Sequence, residues 1–365
     1  VTVNGSDTHS GIVQYRFSNN GGSSYTEVSS TNNSYTYTFN GLNDGTTYTI
    51  AVQAIDEAGN TSSTVTRSVA TEKSGDTMQE IIAGYNIGNR GSFSSVYTTT
   101  TTNTVFQTTD WKGTSYYFAG APTDNWVKFG GFYWRIVRVN GDGSVRLIYN
   151  GTSTTTTGTL INNGATQAFN SSRDRSEYVG LKYTEGSQHG QNTDSPILNN
   201  TLQLWYTSSN LDDYEEYIDT SVGFCSDRNR RSGSSWSSEP SSIIYYAAYG
   251  RIVQNQNPSL ACTSSDIIAE PIGLITADEA MFGGVPWSEN ATGNYLINGQ
   301  LYWTMSPSCF NATISYASVF FVNSSGHLSW NGVYNAFGVR PVINLKADTK
   351  FTGIGTVDSP FEVVA

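Results

Sequence analysis

Hydrophobic positions along the first stretch of the chain recur with a period of two. Val13, Tyr15 and Phe17 form one series, Tyr35, Tyr37 and Phe39 a second, and Tyr48, Ile50, Val52 and Ala54 a third. Gly-, Asn- and Ser-rich turns separate them, and Asp56, Gly59 and Asn60 supply the turn into a last strand. Alternation of this kind marks half-buried antiparallel strands and predicts a small β-sandwich. Thr71 to Asp76 is a polar linker, after which the pattern changes. Met78, Ile81, Ile82 and Tyr85 fall on one helical face. Phe132 to Gly151 reads as a hairpin in which Tyr133, Arg135, Val137 and Val139 alternate with Phe132, Trp134, Ile136 and Arg138, closed by a turn at Asn140-Gly141-Asp142-Gly143. One helix is expected after Ser195-Pro196, carrying Ile197, Leu198, Leu202 and Trp205. Another starts at Thr276, with Glu279 completing a capping box. Thr-rich tracts near residues 98–104 and 152–159 read as exposed β-edges or loops, and no internal repeat is present.

The length of 365 residues suggests about two domains. The pattern places them at 1–72, an all-β sandwich, and 73–365, an α+β domain with irregularly mixed strands and helices. Lys+Arg is 19 against Asp+Glu 30, a net charge of −11. An acidic chain without a basic cluster is a poor partner for phosphate backbones, so nucleic acid is not an expected ligand. Charged residues are 13 % and aromatics 13 %. That combination excludes a disordered chain, which would be rich in charge and poor in rings. No apolar run approaches the ~20 residues that span a bilayer, and nothing at Val1 resembles a signal peptide. The chain begins in mid-pattern and reads as an excised piece, so any membrane or cell-wall anchoring is expected only through parts absent from it.

Candidate chemistry is sparse. Cys225 and Cys262 flank a Ser- and Arg-rich excursion; a disulfide suits an extracellular chain and is favoured over two buried thiols, with Cys309 left over. There is no Cys-x-x-Cys, and His9, His189 and His327 are scattered, so no metal is expected. Spacing does not establish a Cys309–His327 nucleophilic pair. The Asn140–Gly143 turn lacks the length and terminal Glu of an EF-hand loop. No nucleophile elbow, P-loop or dinucleotide fingerprint occurs, so no cofactor is expected. Asp212-Asp213 and Glu215-Glu216 sit in a polar helical run and read as a solvated face.

Two stretches resemble known families. GLNDGTTYTIAVQAIDEAGNTS, Gly41 to Ser62, resembles a fibronectin type III or related immunoglobulin-like module. Leu42 and Tyr48 take the places of that family's corner residues, the Tyr hydroxyl bonding back to the chain. Little chain precedes its second strand at Val1 to Asn4, so the first strand is lost or supplied elsewhere. Such modules usually serve as spacers. The stretch YWTMSPSCFNATISYASVFFVNSSGHLSWNGVYNAFGVRPVINL, Tyr302 to Leu345, resembles the terminal motif of gut Firmicutes surface proteins with a C-type-lectin-like fold. That group is similar to the variable proteins of diversity-generating retroelements. Tyr116 to Gly151, GFCSDR (Gly223 to Arg228) and PIGLITADE (Pro271 to Glu279) share the likeness.

The resemblance implies a framework of Trp303, Met305, Ser306, Pro307, Ala317, Val319, Phe320, Val322, Gly326, Leu328 and Val333, closed by Gly338 to Leu345, with Arg340 forked onto a buried carboxylate or carbonyl. Between them lie the ligand-facing positions: Phe310, Asn311, Thr313, Ser315, Tyr316, His327, Ser329, Trp330, Asn331, Tyr334 and Asn335. These are the residue types of antibody paratopes, rigid rings with adaptable short polar groups. Phe310, Tyr316, His327, Trp330 and Tyr334 are expected exposed on one contiguous face, with Trp303, Val319, Phe320, Val322 and Val339 inward. No Asp, Glu, Lys or Arg occurs from Thr304 to Val339. Randomised adenines in Asn codons favour that depletion, since they cannot yield Lys, Glu or Gln, although Trp330 lies outside their codon set. Sugar-binding C-type lectins place calcium with Glu-Pro-Asn and Trp-Asn-Asp; here Glu270-Pro271 is followed by Ile272, and Trp330-Asn331 by Gly332. Formylglycine-generating enzymes share the wider fold, but their reactive cysteine pair has no matching motif around Cys225 and Cys262. The expected function is cell-surface adhesion or recognition of a protein or glycan on another cell, without catalysis, on the extracellular face of a bacterium. The alternatives are a carbohydrate- or cell-wall-active enzyme on the same fold, and a structural stalk or tip subunit.

Overall fold

The computed structural model describes residues 1–71, 74–155, 158–232 and 235–364, with Asn163 by its backbone alone. Glu72 and Lys73 of the expected linker and domain boundary, and residues 156–157 of the second Thr-rich tract, lie outside the described residues. The protein is β-rich, 36 % strand against 13 % helix, so sheets rather than helices position its surfaces. It divides into two compact units, Val1–Gly75 and Asp76–Ala365.

In the first unit the strands are β1 (Thr2–Asn4), β2 (Ile12–Ser18), β3 (Thr26–Ser29), β4 (Ser34–Thr36), β5 (Thr47–Asp56) and β6 (Val65–Ala70). A four-stranded sheet in the order β3-β2-β5-β6 faces a two-stranded sheet, β1-β4. The alternating residues Tyr15 and Phe17 are buried, and Phe17 stacks on Tyr37 at 4.6 Å. The Tyr48 hydroxyl accepts the Asn43 N–H at 2.8 Å. Asp56 closes the last turn by accepting the Asn60 backbone N–H at 2.7 Å and its side-chain amide at 2.8 Å.

The second unit opens with the helix α1 (Met78–Ala83), held by a capping box between Thr77 and Glu80, with Met78 and Ile82 buried. The strands β7 (Trp126–Phe129), β8 (Phe132–Val139) and β9 (Val145–Gly151) follow. β8 and β9 form the expected hairpin, turned by Gly143 with φ +89°. The Asp142 carboxylate accepts from the Ser144 N–H and hydroxyl, so the turn supplies its own donors. Trp134 and Ile136 are buried, and so are Arg135 and Arg138 beside them. The hairpin lies inside an eleven-stranded sheet, and its alternation does not divide core from solvent because both faces are covered.

After Pro196 the chain winds as a π-type turn, Leu198–Gln203, into α2 (Leu204–Ser208), with Leu198 and Leu202 buried. Two short helices follow, α3 (Ala247–Tyr249) and α4 (Ala277–Phe282). Thr276 and Glu279 cap α4 as expected. The C-terminal strands are β10 (Tyr302–Asn311), β11 (Tyr316–Val322), β12 (Leu328–Gly332) and β13 (Val342–Leu345). β13 joins β9 in the large sheet. A separate four-stranded sheet runs Ile244–Tyr245, β10, β11, β12. Arg340 is fully buried and donates to the carbonyls of Tyr149 and Leu296 at 2.7 and 2.8 Å. Among the described residues no helix is long and apolar enough to cross a membrane.

Candidate binding surface

The C-terminal sheet presents the motif residues, and its register decides which of them meet. β11 is central, covered on both faces, so Val319, Phe320, Phe321 and Val322 are all buried in succession. Trp303 and Val339 are buried too. Along β12, Trp330 lies opposite Phe320 and Asn331 opposite Val319. Successive strand residues point to opposite faces, and directly paired residues share one. By that rule Phe310 and Asn331 fall on one face with Ala317 and Val319, and Tyr316 and Trp330 on the other with Phe320, so the single contiguous face expected from the sequence is corrected.

Phe310 is corrected outright. It is 3 % exposed in the main core, paired between Ile244 and Ala317, because β10 is an interior strand at that position. Tyr316, His327 and Trp330 are half-buried rather than exposed; of the five aromatic positions only Tyr334, at 42 %, is exposed.

One group centres on Asn331. Its Oδ1 accepts from the Tyr316 hydroxyl, the Asn335 side-chain amide and the Gly332 N–H, each at 2.8 Å. Tyr316 packs edge-on against Tyr334 at 5.7 Å. The Arg173 guanidinium sits over both rings, 4.5 Å from Tyr334 and 5.3 Å from Tyr316. Asn311 faces Tyr316 across the hairpin, whose tip carries the exposed Thr313 and Ser315. Ser315 takes φ +48° there.

A second group follows Trp330, which stacks on Trp287 at 5.0 Å and 15° and meets Tyr249 edge-on at 5.8 Å. Tyr249 lies 4.3 Å from Tyr245, and the Arg231 guanidinium sits over the Tyr245 ring at 5.2 Å. All four rings are half-buried. His327 stands apart from both groups, its Nδ1 bonded to Asn290 Oδ1 at 3.1 Å. Ser329 pairs with Phe321, on the opposite face from Trp330. Sequence reasoning missed Arg173, Tyr245, Tyr249 and Trp287. No local pattern marks them: Tyr245 ends a short strand, Tyr249 ends α3, and Arg173 and Trp287 come from loops.

The unit also holds a buried ionic cluster. Arg138 donates to Asp110 at 2.7 Å and to Glu279 at 2.9 Å, and Arg146 reaches the same Glu279 oxygen at 2.7 Å. Arg251 bridges Asp278, at 2.7 Å, and Asp227. Burial opposes the charge on Glu279, but Arg146 and Arg138 outweigh it and hold the carboxyl below its usual range. For Asp227 burial dominates, with Asp278 adding to it against Arg251, and its carboxyl is pushed up to about 7. The cavity between these groups measures about 10 Å³, room for one water. Cys225 and Cys262 beside it are disulfide-bonded, Cα atoms 5.9 Å apart. Burial pushes the Cys309 thiol up, which disfavours the thiolate a nucleophile needs. Among the described residues no group of three or more His, Cys, Asp or Glu side chains is placed to hold a metal ion.

No family model, curated protein or solved structure matches this chain.

Proposed function

We propose that the chain is an extracellular recognition protein of a bacterial cell surface, in which a fibronectin III- or immunoglobulin-like module carries a C-type-lectin-like head that binds a protein or glycan on another cell. The observation that carries this reading is the row Tyr245–Tyr249–Trp330–Trp287, four half-exposed rings in consecutive contact. Aromatic faces offer contact area at low entropic cost and suit both sugar rings and protein side chains. The Arg173–Tyr316–Tyr334 group adds a cation and amide groups of the same recognition type.

The enzyme alternative calls for convergent carboxylates at an accessible cleft. Asp110, Asp227, Asp278 and Glu279 are each ion-paired, and the space between the last three has room for no more than one water, which supports binding over hydrolysis. Diversification by a retroelement fits Tyr316, Asn331, Tyr334 and Asn335, which interact mainly with one another; it does not suit Phe310, which is core. The test is to screen the intact chain on an array of bacterial and host cell-surface glycans and ectodomains, beside Trp330→Ala and Tyr334→Ala. A ligand captured by the intact chain and lost by one variant supports the reading. Capture by both variants at undiminished strength contradicts it.

A further inference from the structure

Trp126 in β7 pairs with Arg135 in β8, and directly paired residues share a face. The Arg135 guanidinium accordingly lies over the Trp126 ring at 4.4 Å, with the Tyr295 ring at 5.3 Å. Two of its nitrogens are fixed: Nε donates to Asn125 Oδ1 at 2.6 Å and Nη2 to the Pro122 carbonyl at 2.7 Å. Asn125 is held in turn, its amide donating to the Ile136 carbonyl at 2.9 Å. Nη1 has no hydrogen-bond partner among the described residues, and the residue borders a cavity.

This arginine differs from the other buried ones. Arg138, Arg146 and Arg228 each meet a carboxylate. Arg340 meets none, but its three nitrogens are taken by the Tyr149 and Leu296 carbonyls and Asn150 Oδ1. Arg135, only 8 % exposed, has neither an ion pair nor a full set of acceptors among the described residues. Asp124 acts on it from beyond ion-pair distance and accepts the Asn103 N–H at 2.6 Å instead. A cation buried without a counter-ion is costly, so a bound anion would stabilise it. Burial pushes the guanidinium down to about 9, which leaves it charged at neutral pH.

The cavity measures about 260 Å³, far more than one water needs and just below the ~300–1,000 Å³ of drug-sized sites. Its walls are Ala121, Pro122, Ile297 and the Trp126 and Tyr295 rings. Asn294, also in the wall, already gives its amide to the Tyr97 and Gly283 carbonyls and its oxygen to the Leu296 N–H. Thr154 lines the same cavity, half-buried, and its hydroxyl has no partner among the described residues.

We propose that this cavity binds a small carboxylate with a compact hydrocarbon body. The carboxylate accepts from Arg135 Nη1 and the Thr154 hydroxyl, and the body lies against Pro122, Ile297 and the two rings. Inorganic anions would leave the apolar walls bare, and a sugar acid would leave its hydroxyls short of partners there. The Trp126 and Tyr295 rings and the Asn125 and Pro122 acceptors hold the guanidinium ready, so little ordering is needed on binding. No residue of the proposed recognition surface lines the cavity, and the site stands independently of that reading.

The test is calorimetric titration of the full chain with sodium benzoate, with benzamide, which keeps the ring without the charge, and with sodium glucuronate. Benzoate should bind saturably at one site and at least about tenfold tighter than either. Arg135→Gln should erase the preference for benzoate over benzamide. Because Arg135 also ties Asn125 to Pro122, a second pair of variants reads the site from the half-buried Thr154. Thr154→Glu sets one of the chain's own carboxylates at the cavity and should weaken benzoate at least about tenfold relative to Thr154→Gln, which has the same shape without the charge. No saturable benzoate binding, equal binding of benzamide or glucuronate, or equal benzoate affinity in the two Thr154 variants would overturn the proposal.

Discussion

Trp330 and Asn331 are neighbours in sequence and serve opposite faces of one sheet. Trp330 pairs with Phe320 and stacks on Trp287, while Asn331 pairs with Val319 and gathers Tyr316 and Asn335. Tyr316 nevertheless lies on Trp330's side of the sheet and packs on Tyr334 beside Gly332, outside the row that Trp330 joins. Each group recruits partners from distant parts of the chain: Tyr245, Tyr249 and Trp287 in one, Arg173 in the other.

Phe310 and Thr313 lie three residues apart and should respond oppositely. Phe310→Ala empties a site in the main core and should cost roughly 3–5 kcal/mol, whereas the exposed Thr313→Ala should stay within about 0.5 kcal/mol. Urea unfolding measures both. Equal effects would mean that β10 does not lie where the fold puts it.

Glu279 answers two arginines and the N-terminus of α4 at once. Glu279→Gln removes its charge while keeping its shape, leaving Arg146 without a carboxylate and Arg138 with only Asp110. The expected loss is roughly 3–5 kcal/mol. A variant as stable as the parent in urea would show that the cluster does not hold α4 against the sheets.

Asp227 should make stability fall as pH rises. Its carboxyl titrates at about 7 in the folded chain against an ordinary value of 3.8, so the folded state binds the extra proton between those values. The associated stability is fully present below the ordinary value and is lost as pH rises through about 7. Urea midpoints followed across that window should decline in the parent and stay flatter in Asp227→Asn. Parallel profiles would contradict the raised titration.

The Cys225–Cys262 bond closes a sequence separation of 37 residues. Closure of a loop that long contributes about 2–4 kcal/mol, so Cys225→Ser with Cys262→Ser should lower stability by that amount. Unfolded, unreduced protein should titrate a single thiol, Cys309. Three reactive thiols would contradict the bond.

Legibility tracked how local each cause was. The hairpin at Asn140–Gly143, the cap at Thr276 and Glu279 and the inward Trp303 and Val319 rest on short-range patterns, and the structure has them. The exposure of Phe310 was misread because the motif carries no sign of the Ile244–Tyr245 strand that covers it, dozens of residues upstream. The aromatic row was half legible. Trp330 stood in the motif, but its partners come from helical and loop segments whose meeting depends on the sheet order. The buried ionic cluster was invisible, since Arg138, Arg146, Arg251 and Asp227 are scattered charges until the fold collects them.

Half-exposed rings and polar groups of the C-terminal sheet are proposed to form a recognition surface. The most direct measurement is the affinity of the intact chain, Trp330→Ala and Tyr334→Ala for a ligand captured on the array, with Tm followed for each. A loss of at least about tenfold is expected in one variant, with its Tm lowered by no more than a few degrees, the size expected for about 1 kcal/mol. Unchanged affinity in both variants, or a loss that appears only where the domain unfolds, would contradict it.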